Sequence, residues 1–225
     1  GKACTFDPKP SYPDCTEKGD RFDLTDGRYN GCLWIYKGTV GLMPGYGWDV
    51  ETMPIPLIDI DLGAARAIGK VTFSSITGSG GVTFPLAVRV FVSTDAKHYD
   101  LLCNMPTESM PQDKPLNHRF VAQDLKGWGR YVRFALLPGG PMMFFDEIEI
   151  MEGTHTREEA RHLNQRPIPA GKVKTYAKQM RRGTPDLWSY SGYGSDRGEM
   201  HESGGYYGEG KLGHNPEVKA EHPEF

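Results

Sequence analysis
The sequence predicts an all-β fold, a sandwich or barrel of antiparallel strands, followed by a long extension of different character. Three observations predict it. Short runs that alternate apolar and polar side chains recur between residues 57 and 151, bounded by clusters of Gly, Pro, Asp and Ser. No long apolar stripe with a period of 3.6 appears before residue 153, so helices are minor there. After that point the composition changes: residues 154–225 hold 19 of the Ala, Val, Ile, Leu, Met, Phe, Trp, Tyr and Cys set in 72 positions, and only six of these are Leu, Ile or Val. The 225-residue chain therefore divides into a globular part, 1–153, and an extension, 154–225.

The elements follow in order. Leu57-Ile58-Asp59-Ile60-Asp61-Leu62 alternates aliphatic with acidic residues in its later part, and Gly63 closes it. Residues 69–76 set Val71, Phe73 and Ile76 among Ser and Thr. Residues 86–93 alternate around Val88, Val90 and Val92, and 131–137 and 143–151 do likewise. Such alternation implies antiparallel sheets with one face to the core and one to water. Thr94-Asp95-Ala96-Lys97 has the composition of a hairpin turn.

In the extension, Thr156-Arg157-Glu158-Glu159 reads as a capping box. It would start a short helix anchored by Leu163 and stopped before Pro167. Residues 173–180 suit a second short helix. Residues 183–213 hold nine Gly, with Trp188, Tyr190, Tyr193, Tyr206 and Tyr207. That stretch buries too little alone to offset its ordering entropy, so these aromatic residues are candidate contacts to a protein partner.

Charge excludes some functions. With 26 Lys+Arg against 29 Asp+Glu and a net charge of -3, there is no field for a polyanion, so nucleic acid is not an expected partner. No run of 18 apolar residues exists, so no membrane span is expected.

Several segments, in succession, resemble the discoidin, or coagulation factor 5/8 type C, family. They are Leu24-Thr25-Asp26-Gly27; Trp34; Ile58-Asp59-Ile60-Asp61-Leu62-Gly63; residues 68–73; Val88-Arg89-Val90-Phe91-Val92-Ser93 with Asp95 and Tyr99; Gly129-Arg130-Tyr131-Val132-Arg133-Phe134; and Asp146-Glu147-Ile148-Glu149-Ile150. The resemblance covers residues 20–153, and the extension shares none of it. With Thr39-Val40-Gly41 and Gly47-Trp48, the chain looks like the discoidin-like modules of bacterial secreted proteins. The resemblance implies a galactose-binding-like jelly-roll β-sandwich, shared with many carbohydrate-binding modules. The full expectation is thus an all-β jelly roll with a mostly irregular C-terminal extension carrying one or two short helices.

The resemblance also implies where ligands sit. A glycan or cell-surface ligand would be held by loops at one end of the sandwich, with an aromatic ring stacked on the sugar and polar groups on its hydroxyls. The aromatic, Gly-rich segment 28–48 offers Arg28, Asn30, Trp34, Tyr36, Tyr46 and Trp48. The family's tryptophan at the position of Trp34 is often buried, whereas Tyr46 sits between two glycines. Trp128, between Gly127 and Gly129, is a second exposed-loop candidate. A structural Ca2+ site would use Asp26 and Glu147, but Arg28 and Gly31 depart from the family's pattern there, with Asn30 able to compensate.

Other constellations have ordinary readings. Asp59 with Asp61, and Glu147 with Glu149, have the spacing of a solvated sheet face rather than of a glycosidase pair. His155 and His162 would share one helix face with Glu158 and Glu159, by default a charged surface. No zincin, nucleophile-elbow or P-loop motif occurs. Cys4, Cys15, Cys32 and Cys103 show no zinc or haem spacing. In an oxidising compartment they would form two disulfides in one of three pairings, with Cys4–Cys15 favoured for its short loop. The resemblance and these cysteines together imply a place outside the cytoplasm, and the start at Gly1 without a signal peptide fits a processed protein or a trimmed sequence.

Two functions compete. One is a non-catalytic binding module. The other is an assembly subunit whose sandwich docks and whose extension wraps a neighbour, with truncation at Gly153 expected to leave a folded monomer.

Overall fold
The structure is a computed structural model and describes residues 1–29, 38–45, 52–78, 80–106, 116–179 and 193–199. It is a β-sandwich whose two layers share one long bent strand. The strands are β1 (Cys4–Asp7), β2 (Val40–Leu42), β3 (Leu57–Thr77), β4 (Ala87–Ser93), β5 (His98–Pro106), β6 (Leu116–Ala122), β7 (Gly127–Leu137), β8 (Met143–Glu152), β9 (Ile168–Pro169) and β10 (Tyr193–Glu199). Two short helices, α1 (Asp20–Asp23) and α2 (Val173–Gln179), complete the described elements, with a single 3-10 turn leading into α2.

The first half of β3 pairs with β1 and β7, and the layer continues through β4 and β5 to β9. Its second half pairs with β6 and β8, with β10 beyond β6 and β2 beyond β8. These form layers one and two. Every pairing between these described strands is antiparallel. The bend lies where the β3–β7 register shifts between Asp61 and Arg66. Gly63 sits there at φ +87, a conformation that a Cβ would strain, and its N–H donates to Asp61 Oδ1 at 2.8 Å.

The core between the layers is built from the alternation. Ile58, Ile60, Val88, Val90, Val92, Val132 and Phe134 of layer one meet Val71, Phe73, Phe120, Phe145 and Ile148 of layer two. Phe73 stacks across the gap on Phe134, with ring centroids 5.9 Å apart.

The expected wet face of layer one is covered over β4, β5 and the end of β7, while Asp59 and Asp61 of β3 stay partly exposed. All seven residues of β4 are buried. Ala87, Phe91, Tyr99, Leu101, Ala135 and Leu137 form a second apolar cluster with Ile168, Val173 and Ala177, so the start of the extension covers this face. Fully buried Arg89 also lies under α2: its Nε donates to Asn104 Oδ1 at 3.1 Å and its Nη1 to the Ala177 carbonyl.

The capping box forms half of what it implies. Thr156 N donates to Glu159 Oε2 at 2.7 Å, but the backbone makes one turn at 157–159 and no helix. His155 is instead buried and donates from Nε2 to the Gly127 carbonyl at 2.7 Å, while His162 stays partly exposed beside Asp100. The second expected helix is α2.

The cysteine pairing is also corrected. Cys4, Cys15 and Cys103 are buried thiols, unbridged to one another. Cys4 faces the core between the layers, whereas Cys15 packs with Ile76 and Phe144 in a separate cluster, so the short loop does not bring them together. Cys32 lies outside the described residues.

Candidate functional site
Topology decides where a ligand can reach. The β2–β3, β3–β4, β5–β6 and β7–β8 connections all leave and re-enter the sandwich at the end where Leu57, Thr77, Ala87, Pro106, Leu137 and Met143 lie. This follows from the pairings of Thr77 with Leu116, Ala87 with both Leu137 and Pro106, and Leu57 with Ala135. The β4–β5 and β6–β7 turns and the bend of β3 are at the other end. The β4–β5 turn is as expected: Ala96 takes φ +59, and Asp95 Oδ1 accepts the N–H groups of Lys97 and His98, both at 2.8 Å.

The predicted ligand residues distribute accordingly. Tyr46 and Trp48, which fall between β2 and β3 in the sequence, lie outside the described residues, as do Asn30, Trp34 and Tyr36. Trp128 is not on a loop. It is half-buried on β7, opposite Ala67 and at the other end. Its flanking glycines permit close packing rather than turning: a Cβ at Gly127 would meet Leu102 at 2.8 Å, and one at Gly129 would meet Ser93 O at 3.0 Å. Arg28 is exposed at the foot of the segment that begins at residue 30. Of the partner-contact candidates, Tyr193 falls on the backbone of β10, and Trp188, Tyr190, Tyr206 and Tyr207 lie outside the described residues.

The turn at Asp26 does bring Asp26 and Glu147 together, around backbone N–H groups. Glu147 Oε2 accepts the N–H groups of Gly27 at 2.9 Å and Arg28 at 3.2 Å. Asp26 Oδ1 accepts Arg28 N at 2.9 Å, an Asx turn, with the Arg28 guanidinium 3.8 Å away. Gly27 is at φ +83. Burial pushes Glu147 up to about 9, against the pull of the Gly27 N–H and reinforced by Asp26, Asp146 and Glu149. Burial likewise raises Asp26, and raises Asp23 to about 6. Calcium asks for six to eight converging oxygens. Among the described residues no group of three or more His, Cys, Asp or Glu is placed to hold a metal ion, and an arginine occupies this turn.

The Glu147–Glu149 face is not solvated either. Both carboxylates are buried, on the side of layer two that carries Thr72, Ser74 and Arg119. Glu149 accepts from Tyr29 OH, from Thr72 Oγ1 at 2.9 Å and from Arg119 Nη2 at 2.6 Å, and the Arg119 guanidinium lies 5.4 Å from the centroid of the Tyr29 ring. Burial raises Glu149, and these three donors oppose the rise. The network ties the Asp26 turn, and with it the foot of the segment after Tyr29, to the middle of layer two. Sequence reasoning missed it, because Arg119 sits in a run that shows no alternation and Tyr29 is one aromatic among many.

The exposed carboxylates are paired. Arg130 holds Asp61 through two contacts of 2.7 Å, and Arg133 holds Asp59 at 2.6 and 2.9 Å. A cleft of about 560 Å³ opens between the bend of β3 and β8, lined by Lys2, Ile60, Leu62, Arg66, Ile150 and Glu152 among others. No aromatic side chain lines it among the described residues, so it offers no stacking platform.

No protein-family model matches the chain, and no curated protein matches it. Solved structures to which it is similar are discoidin-like carbohydrate-binding modules. One is CpGH89CBM32-6 of Clostridium perfringens, 17% identical over 67% of this chain and 94% of that chain, with a TM-score of 0.39. Another is CpGH89CBM32-5 of Clostridium perfringens, in complex with GalNAc-beta-1,3-galactose, 16% identical over 66% and 93%, with a TM-score of 0.45. A third is the lectin domain of lectinolysin complexed with Lewis B antigen, 14% identical over 68% and 94%, with a TM-score of 0.44.

Proposed function
We propose that the chain is a non-catalytic binding module, acting outside the cytoplasm, that holds a glycan at the end of the sandwich where its longer connections gather. The observation that carries this reading is that both sheets have much of their described faces filled. The outer face of layer one, over β4, β5 and the end of β7, lies under Ile168, Val173 and Ala177. The outer face of layer two is taken up by the Arg119–Glu149–Tyr29 network. The cleft at the bend of β3 has no aromatic lining among the described residues, so a stacked sugar is better served by the loop rim, where the four connections at one end include the one with Gly45-Tyr46-Gly47-Trp48. A tyrosine and a tryptophan among glycines supply flat, partly polar surface for a sugar ring at low conformational cost. The sequence resemblance supports the same end. The extracytoplasmic placement follows from the same resemblance.

The test is a glycan array followed by calorimetry on the best ligand. Tyr46→Ala and Trp48→Ala are each expected to weaken binding at least tenfold, about 1.4 kcal/mol. Trp128→Ala, at the opposite end, should leave affinity within twofold. An array without a ligand, or a loss confined to the Trp128 variant, overturns the reading.

A further inference from the structure
The bend of β3 is where the core reaches solvent. Between Ile60, where the pairing with β1 stops, and Ile68, where that with β8 begins, β3 pairs among the described residues with β7 alone. The gap is the cleft of about 560 Å³. Ile60, Leu62 and Ile68 of β3 and Ile148 of β8 belong to the main core, Ile150 packs against it, and all five line the cleft with Met151. We propose that this cleft binds a single-chain aliphatic carboxylate, a fatty-acid-like anion, with its hydrocarbon chain between the two layers and its head group at Lys2 and Arg66.

The walls select the chain. Their polar groups are already engaged: Thr25 Oγ1 donates to the Lys2 carbonyl at 2.6 Å, Glu147 accepts the Gly27 and Arg28 N–H groups, and Glu149 is held by Arg119, Thr72 and Tyr29. A ligand rich in hydroxyls would lose its water there without replacement, whereas a hydrocarbon loses nothing. The volume is in the range of small-ligand pockets, about 300–1,000 Å³. Stacked sheets lie about 10 Å apart, so the opening between them admits one chain and not two side by side.

The mouth selects the head group. Lys2 and Arg66 are both exposed and flank the bend. Lys2 Nζ lies 3.8 Å from where a Cβ on Gly63 would stand, and among the described residues it has no ion pair. The neighbouring Asp61 is held by Arg130 through two contacts of 2.7 Å. Arg66 is only loosely matched, 3.9 Å from the exposed Glu152. Glu147, at the inner end, is pushed up to about 9 and so carries no charge against an anion at neutral pH. An exposed carboxylate at this mouth keeps its water while the chain behind it is buried. The cleft is at the opposite end from the loop rim, so the inference stands apart from the glycan reading.

Calorimetry of the full chain with sodium octanoate and sodium decanoate tests it. One site is expected, with decanoate about fifteenfold tighter, since each further buried methylene gives about fourfold. The double variant Lys2→Glu, Arg66→Glu changes two exposed side chains and is expected to weaken decanoate about fivefold or more, while leaving decanol within twofold. Methyl NMR of isoleucine-labelled protein should show decanoate shifting Ile60, Ile68 and Ile150 and leaving Ile76 in place. Absence of decanoate binding, equal affinity for the two chain lengths, an unchanged affinity in the double variant, or shifts confined to other isoleucines each overturn the proposal. Sedimentation with phosphatidylglycerol vesicles in the absence of any binding of free decanoate overturns it too, since the surface then serves a bilayer.

Discussion
At the scale of single residues, Glu147 joins sequence to solution behaviour most directly. Burial lifts its folded value from 4.5 to about 9, and the Gly27 N–H only partly opposes this. The folded state therefore binds this proton more tightly than the unfolded chain does. The stability linked to it is fully present below about 4.5 and is lost as pH rises through about 9. Burial raises Asp23 and Asp26 too, so they add the same sign over the lower part of that range. Glu147→Gln keeps the shape and removes the titration. Thermal melts at pH 5, 7 and 9 should show a falling midpoint in the parent and a clearly flatter line in the variant; equal slopes would remove Glu147 as the cause. The aspartate–glutamate pairing was readable from the resemblance. The protonation behaviour was not, because it depends on burial contributed by residues more than a hundred positions away.

At the scale of elements, the alternation around Val88, Val90 and Val92 was legible because one face of β4 meets the core. The opposite face misled. Arg89 and Phe91 read as the wet side, yet both are buried beneath residues that composition had assigned to an apolar-poor extension. Few apolar residues suffice there, since Ile168, Val173 and Ala177 each land on a face already lined by Phe91, Tyr99 and Leu137. The capping box misled in the other sense: its hydrogen bond formed, but one capped turn without a following apolar stripe does not propagate. The folding unit consequently extends past Gly153. Burying an aliphatic side chain is worth about 1.5–3 kcal/mol, and a domain has about 5–15 kcal/mol in total. A chain ending at Gly153 is expected to lose cooperative unfolding or to melt far lower, whereas one ending at Gln179 should melt close to the parent. Equal melting of the two shorter chains would show the cover to be dispensable.

At the scale of the whole molecule, the near balance of 26 basic and 29 acidic residues gains a spatial meaning. Several cations of the described surface sit beside carboxylates: Arg130 on Asp61, Arg133 on Asp59, Arg66 near Glu152, Lys174 on Asp7 and Arg28 near Asp26. These pairs add little stability individually at an exposed surface. With a net charge of -3, the chain as a whole carries little excess of either sign to draw a charged ligand. For a neutral glycan held by stacking and hydrogen bonds, affinity is expected to change less than about twofold between 50 mM and 500 mM salt, because screening acts on charges that the contact does not use. Immobilised heparin should retain the protein no longer than a neutral matrix does. Calorimetry across that salt range makes the measurement. A loss of tenfold or more would mean that the rim recognises an anionic ligand through unpaired cations, and the neutral-glycan form of the reading would fall while the position of the rim would stand.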